Sequence, residues 1–128
     1  MANEPPRPTD AELEILTVLW SLGPATVREV HDVIGRRRVA QYSTVLKFMQ
    51  IMAEKGLVRR DEKQRAHIYE AARPREWTQR QLAGDLMERA FSGSAKALLM
   101  GALSARRATK GELAELRRLL DEYRKGEK

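Results

Sequence analysis

The spacing of apolar positions divides the chain into six helical stretches and one extended pair. Leu13, Leu16, Leu19 and Trp20, with Ile15 and Leu22, form a broad apolar stripe at helical spacing, and Gly23-Pro24 ends it. The pattern therefore predicts a first helix that starts near Thr9. Thr26 and Glu29 have capping-box spacing, after which Val27, Val30 and Ile34 repeat with the helical period until Gly35 stops the run. Beyond the basic run Arg36, Arg37, Arg38, the segment from Gln41 to Lys55 carries Val45, Phe48, Met49 and Met52 on one face and terminates at Gly56.

The character then changes. Leu57 to Glu62 and Arg65 to Ala71 flank a polar Lys63-Gln64 turn and contain Val58, Ile68 and Tyr69, which favour strands, so a two-stranded hairpin is predicted. Pro74 suits the first turn of a fourth helix running to Phe91, with Trp77, Leu82, Leu86 and Ala90 on one side and Ser92-Gly93 beyond it. Ala95, Leu98, Leu99 and Ala102 mark a fifth helix. Thr109 with Glu112 opens a sixth that carries Leu113, Leu116, Leu120 and Tyr123.

Helix, helix, helix, hairpin and three further helices make a fold that is mainly α with a small β-hairpin. The first part has the order of a winged helix-turn-helix, whose second motif helix enters the major groove of DNA. The expected organisation is a flexible proline-rich arm over residues 1–8, a winged-helix domain over 9–72 and a three-helix C-terminal dimerisation region over 73–128. The last three helices carry narrow apolar stripes, which a second copy of the chain would cover. Phe91, Leu98, Leu99, Leu103, Leu113, Leu116 and Leu120 are the expected interface.

Charge sharpens this expectation. The 128 residues hold 24 Lys and Arg against 18 Asp and Glu, a formal net charge of +6. Between Arg36 and His67 nine basic residues face three acidic ones, so the whole excess lies in the stretch containing the third helix and the hairpin. Such an excess fits a phosphate backbone. On the third helix, Ser43, Lys47, Gln50 and Glu54 fall opposite the apolar face. Hydroxyl, ammonium and amide groups there can bond base edges or phosphates. The expected DNA contacts are Arg37, Arg38, Gln41, Tyr42, Ser43, Thr44, Lys47, Gln50, Arg60, Lys63 and Arg65. Arg59 and Arg60 alternate in a strand, so one of the two faces the core side or its edge.

Other chemistry is sparse. There is no Cys, which removes disulfides, thiolate metal sites and thiol catalysis. His31 and His67 have no spaced metal-ligand partners and are expected to be structural, while Trp20 and Trp77 belong to apolar stripes and are expected to pack. Ser43 lies in no nucleophile motif and no glycine-rich phosphate loop is present, so no enzyme activity, metal or cofactor is expected. Without an apolar signal core or membrane-spanning run, a soluble, cytoplasmic protein is expected. A protein-interaction adaptor that uses the winged-helix fold without reading DNA sequence stays open as the alternative.

AELEILTVLW, ATVREVHDVI and YSTVLKFMQIMAEKGLVRRDEKQRAHIYEA together resemble the winged-helix domain of the penicillinase-repressor (BlaI/MecI/CopY) family of bacterial transcriptional regulators. The resemblance rests on the Trp of the first helix, the Tyr-Ser-Thr-Val start of the third, Lys55-Gly56-Leu57-Val58 before the wing, and Arg65, His67 and Tyr69 on the return strand. FSGSAKALL and ATKGELAELRRLL are similar to the family's C-terminal dimerisation region. The resemblance implies a homodimeric repressor on a dyad operator, with a membrane-bound zinc-protease receptor acting upstream. It places the family's recognition-helix hydroxyl and basic positions on Ser43, Thr44 and Lys47. Ile51 stands where β-lactamase regulators often carry Arg, and Gly101-Ala102 stands where some members are cut at an Asn-Phe bond. The C-terminal cysteines of the copper-responsive branch are absent.

Overall fold

The computed structural model describes residues 6–126; residues 1–5, the first part of the expected arm, lie outside the described residues, as do 127 and 128. The elements are α1 (Asp10–Leu22), α2 (Val27–Gly35), α3 (Tyr42–Lys55), β1 (Val58–Asp61), β2 (Ile68–Ala71), α4 (Arg75–Ala90), α5 (Ala95–Ala105) and α6 (Lys110–Gly126). This is a winged helix-turn-helix followed by C-terminal helices. Two compact units divide after Leu82, inside α4.

In the first unit α1, α2, α3 and the hairpin enclose one core. Ile15, Leu16 and Leu19 of α1, Val30 and Ile34 of α2, Val45, Met49 and Met52 of α3 and Tyr69 of β2 are all buried in it. The helical ones are predicted stripe positions, because each helix turns its apolar side inward and its charged side to water, while Leu13, Trp20 and Phe48 of the same stripes are half-buried. Leu22, also on the first stripe, remains exposed at the end of α1.

Local chemistry sets the ends. Thr26 and Glu29 form the expected capping box on α2, and Thr9 and Glu12 form another on α1 that the spacing had not singled out. Gly56 ends α3 in the left-handed conformation with φ of 82°, a position that favours glycine because it lacks a Cβ. Gly35 behaves differently from expectation. It is the last helical residue of α2, and the turn is made by Arg36 to Arg38, with the Arg37 and Arg38 amides donating to the Ile34 carbonyl at 2.9 and 3.1 Å.

The hairpin is antiparallel, with Val58 opposite Ala71 and Arg60 opposite Tyr69. Its strands are shorter than predicted and the connection spans residues 62–67. Residues 59–67 are all exposed, so the outer positions have no apolar face to hold them in the ladder. The Asp61 side chain accepts from the Lys63 amide at 2.9 Å and turns the chain there. On its other edge β2 is bridged by Ala25, whose amide and carbonyl pair with those of Tyr69 at 2.9 and 2.8 Å. Tyr69 therefore spends both its backbone groups on Ala25 and faces Arg60 across the hairpin.

In the second unit no described residue of α5 or α6 is buried. The α4–α5 corner turns at Ser92 and Gly93, both with positive φ, and the Gly93 amide donates to the Met87 carbonyl at 2.9 Å. Gly101 lies inside α5 against Phe91; a Cβ there would come within 3.3 Å of the Phe91 ring. Among the described residues no helix is long and apolar enough to cross a membrane.

Candidate nucleic-acid interface

The polar side of α3 is built by the same register that buries Val45, Met49 and Met52. Ser43, Thr44, Lys47 and Gln50 all point to water along it. Gln41 is the N-cap and makes no side-chain cap bond, which leaves its amide group available. Tyr42, half exposed, meets the His31 ring edge-on at 5.8 Å and lies 5.6 Å beneath the Arg28 guanidinium. His31 in turn places Nε2 2.7 Å from the Ala40 carbonyl. Since a carbonyl oxygen only accepts, Nε2 carries the proton. The histidine thus ties α2 to the start of α3, a structural role.

The six cations among the eleven expected contacts divide into two groups. Arg37, Lys47, Lys63 and Arg65 are exposed and form no ion pair among the described residues, as is also true of Arg36. Two arginines are engaged internally. Arg38 grips the Glu14 carboxylate with Nη2 at 2.7 Å and Nε at 3.3 Å. The Arg38 hydrogen bond lowers the Glu14 pKa below the ordinary carboxylate value, with burial opposing and the charges of Arg38 and Arg37 adding to the fall. Arg60 stands opposite Tyr69 across the hairpin and pairs with Glu62 at 2.8 Å, while Arg59 lies 3.6 Å from Glu70. Of the two alternating arginines Arg60 is the one on the core edge, opposite buried Tyr69.

Beneath this face runs a pairing that composition alone did not reveal. The Glu12 side chain, 2% exposed, accepts from Lys55 Nζ at 2.7 Å and from the Thr9 amide at 2.9 Å. Burial pushes the Glu12 pKa up, but the Lys55 hydrogen bond, the Thr9 amide and the lysine charge together hold it below the ordinary value. The pair joins the start of α1 to the end of α3. Thr9 and Glu12 have capping-box spacing, the one signal that could have drawn attention to Glu12.

At the start of α4, the Trp20 indole donates to the Arg73 carbonyl at 3.0 Å, and the Arg73 guanidinium stacks 4.6 Å over Trp77. Trp20 packs against the core as expected, while Trp77 is half-buried under the Arg73 guanidinium, and Arg73 is the partner the two share.

Of the expected dimer contacts, Phe91, Leu98, Leu99 and Leu116 are half-buried, whereas Leu103, Leu113 and Leu120 are exposed, Leu120 at 58%. Gly101 and Ala102 sit inside the α5 helix.

Sequence comparison agrees with this architecture. The penicillinase repressor family model matches residues 8–122. The proteins named transcriptional regulator BlaI from two strains of Mycobacterium tuberculosis, CDC 1551 / Oshkosh and ATCC 25618 / H37Rv, are each 35% identical over 119 residues, covering 91% of this chain and 85% of theirs. A match that takes in the three winged-helix helices, the hairpin and the helices behind them is a match to the whole arrangement, and the chain belongs to the penicillinase repressor family.

Proposed function

We propose that the protein is a transcriptional repressor that acts in the cytoplasm as a homodimer, each protomer placing α3 in a major groove of a dyad operator. The observation that carries this is the outward face of α3: Ser43, Thr44, Lys47 and Gln50 stand in water, and Lys47, like Arg36 and Arg37 of the preceding turn and Lys63 and Arg65 of the hairpin connection, is exposed with no ion pair among the described residues. Free cations on α3, on the turn before it and on the hairpin connection suit a phosphate backbone, and the polar groups of α3 suit base edges. Arg38 and Arg60 serve the scaffold, since their guanidinium groups are already engaged. The exposed leucines of α5 and α6 support the second copy, which would cover them. Repression then follows from occupancy of DNA, without a catalytic step.

The test is a genome-wide selection of bound fragments with the full chain, repeated across a salt series and with Lys47→Ala. A dyad motif with affinity falling steeply as salt rises is expected. Lys47→Ala should weaken binding across sequences and reduce the salt slope by about one, while Ser43 and Thr44 substitutions change base preference. Salt-sensitive binding with no motif would favour an adaptor or non-specific coating instead.

A further inference from the structure

The turn between α2 and α3 holds an apolar side chain in water at the edge of the proposed DNA face. Val39 is 95% exposed. Its backbone is tightly placed all the same. On one side Arg38 is anchored to Glu14 of α1 at 2.7 Å, and on the other the Ala40 carbonyl is held by His31 of α2 at 2.7 Å. Two clamps from two different helices thus fix the residue between them, which is more than solvent exposure alone requires of a surface turn.

The surroundings limit what can cover it. Val39 lines a small cleft with Gln41 and Thr44, the N-cap and first turn of α3, with the paired Arg38 and Glu14, and with apolar residues of α1, α2 and α3 such as Ile15, Ile34 and Phe48. Arg36 and Arg37, both exposed and without an ion pair, immediately precede the clamped turn. With Arg38 and Glu14 neutralising each other, the uncompensated charge next to Val39 in the chain is that of Arg36 and Arg37, which suits a polyanion as the covering surface. The major groove of duplex DNA offers an aliphatic side chain one apolar group among its base edges, the C5-methyl of thymine. We propose that Val39 is an additional specificity residue, packing on a thymine methyl next to the bases faced by Gln41 and Thr44. The inference rests on the operator-binding reading above.

The experiment uses the best duplex recovered by the fragment selection and replaces its thymines one at a time by deoxyuridine, which removes only the methyl. Full-length wild type and Val39→Ala are compared by competition binding at fixed salt. At one thymine in each half-site, loss of the methyl should weaken wild type about fourfold, the size of one buried methyl contact. Val39→Ala should bind the two duplexes equally and unfold at the same temperature as wild type, because the side chain it loses packs against little within the protein. Wild-type indifference to deoxyuridine at every position would overturn the proposal, as would discrimination that survives in Val39→Ala. Uniform weakening of Val39→Ala on all duplexes, with discrimination intact, would assign the contact to the sugar-phosphate backbone. That too overturns it while leaving the operator reading standing, whereas failure of wild type to select any motif overturns both.

Discussion

The winged-helix unit and the C-terminal unit are made of similar amphipathic helices, yet only the first closes on itself. In residues up to Leu82, stripes from three helices meet a hairpin, and Leu19, Val30, Met49, Met52 and Tyr69 disappear from solvent. In the described residues beyond it no side chain is buried, and Leu103, Leu113, Leu119 and Leu120 stay exposed. The difference comes from what lies opposite each stripe. A sheet edge, a buried ion pair and two capping boxes seal the first set. The second set of helices has stripes and caps of its own, such as Ser94 and Thr109 accepting from Ala97 and Glu112 amides, but nothing within the unit to complete its apolar side. Helical periodicity announces a face to be covered; it does not say by what.

The sharpest way to break this contrast is to remove a core side chain from the closed unit. Leu19→Ala should cost about 3 to 4 kcal/mol of unfolding free energy in a urea titration, the range for a leucine lost from a packed core. A cost near zero would mean the first unit is no better closed than the second. Lys55→Met should cost about 3 kcal/mol, because it strands the buried Glu12 carboxylate. Combining it with Glu12→Met should recover much of that loss, which thermal melts of the single and double variants would read.

In the open unit the expected effect falls on association. Leu116→Lys with Leu120→Lys should raise the homodimer dissociation constant by at least about 100-fold, equivalent to about 2.7 kcal/mol, as measured by sedimentation. Circular dichroism should show the helices retained. Unchanged sedimentation would place the dimer contact elsewhere or remove it.

The smallest effect is an acid dependence confined to the closed unit. Glu12 and Glu14 have pKa values lowered by folding, so their stabilisation is complete above the unfolded carboxylate value of about 4.3 and is lost as pH falls through the folded values. Urea midpoints should therefore drop below about pH 4 in wild type. In Glu12→Gln the drop should be shallower, with Glu14 supplying what remains.

Much of this molecule was legible from residue order. The three stripes of the winged helix, the Thr26–Glu29 cap, the turn at Gly56 and the outward set Ser43, Thr44, Lys47 and Gln50 follow from the geometry of a helix with one dry side, and the structure has them where spacing put them. The hairpin was legible in kind but not in length, because strand propensity does not register that Arg59 to His67 has nothing to pack against. Partners distant in sequence were not legible at all. Arg38 and Arg60 counted toward the basic face like their neighbours, and only the fold brings Glu14 of α1 to the first and Tyr69 of β2 opposite the second.

By itself the order of residues determined the helices, their dry and wet sides, the place of the charge excess and the family, since each of these depends on residues within a few positions of one another or on a pattern running the length of the chain. The folded arrangement decided which cations stay free, that a carboxylate near one end of the first unit is buried beneath a lysine 43 residues away, and that Val39 stands clamped yet uncovered. The physical reason is range. Side-chain periodicity acts over a turn or two of backbone, whereas ion pairing and burial act through space between segments that only the completed core brings together.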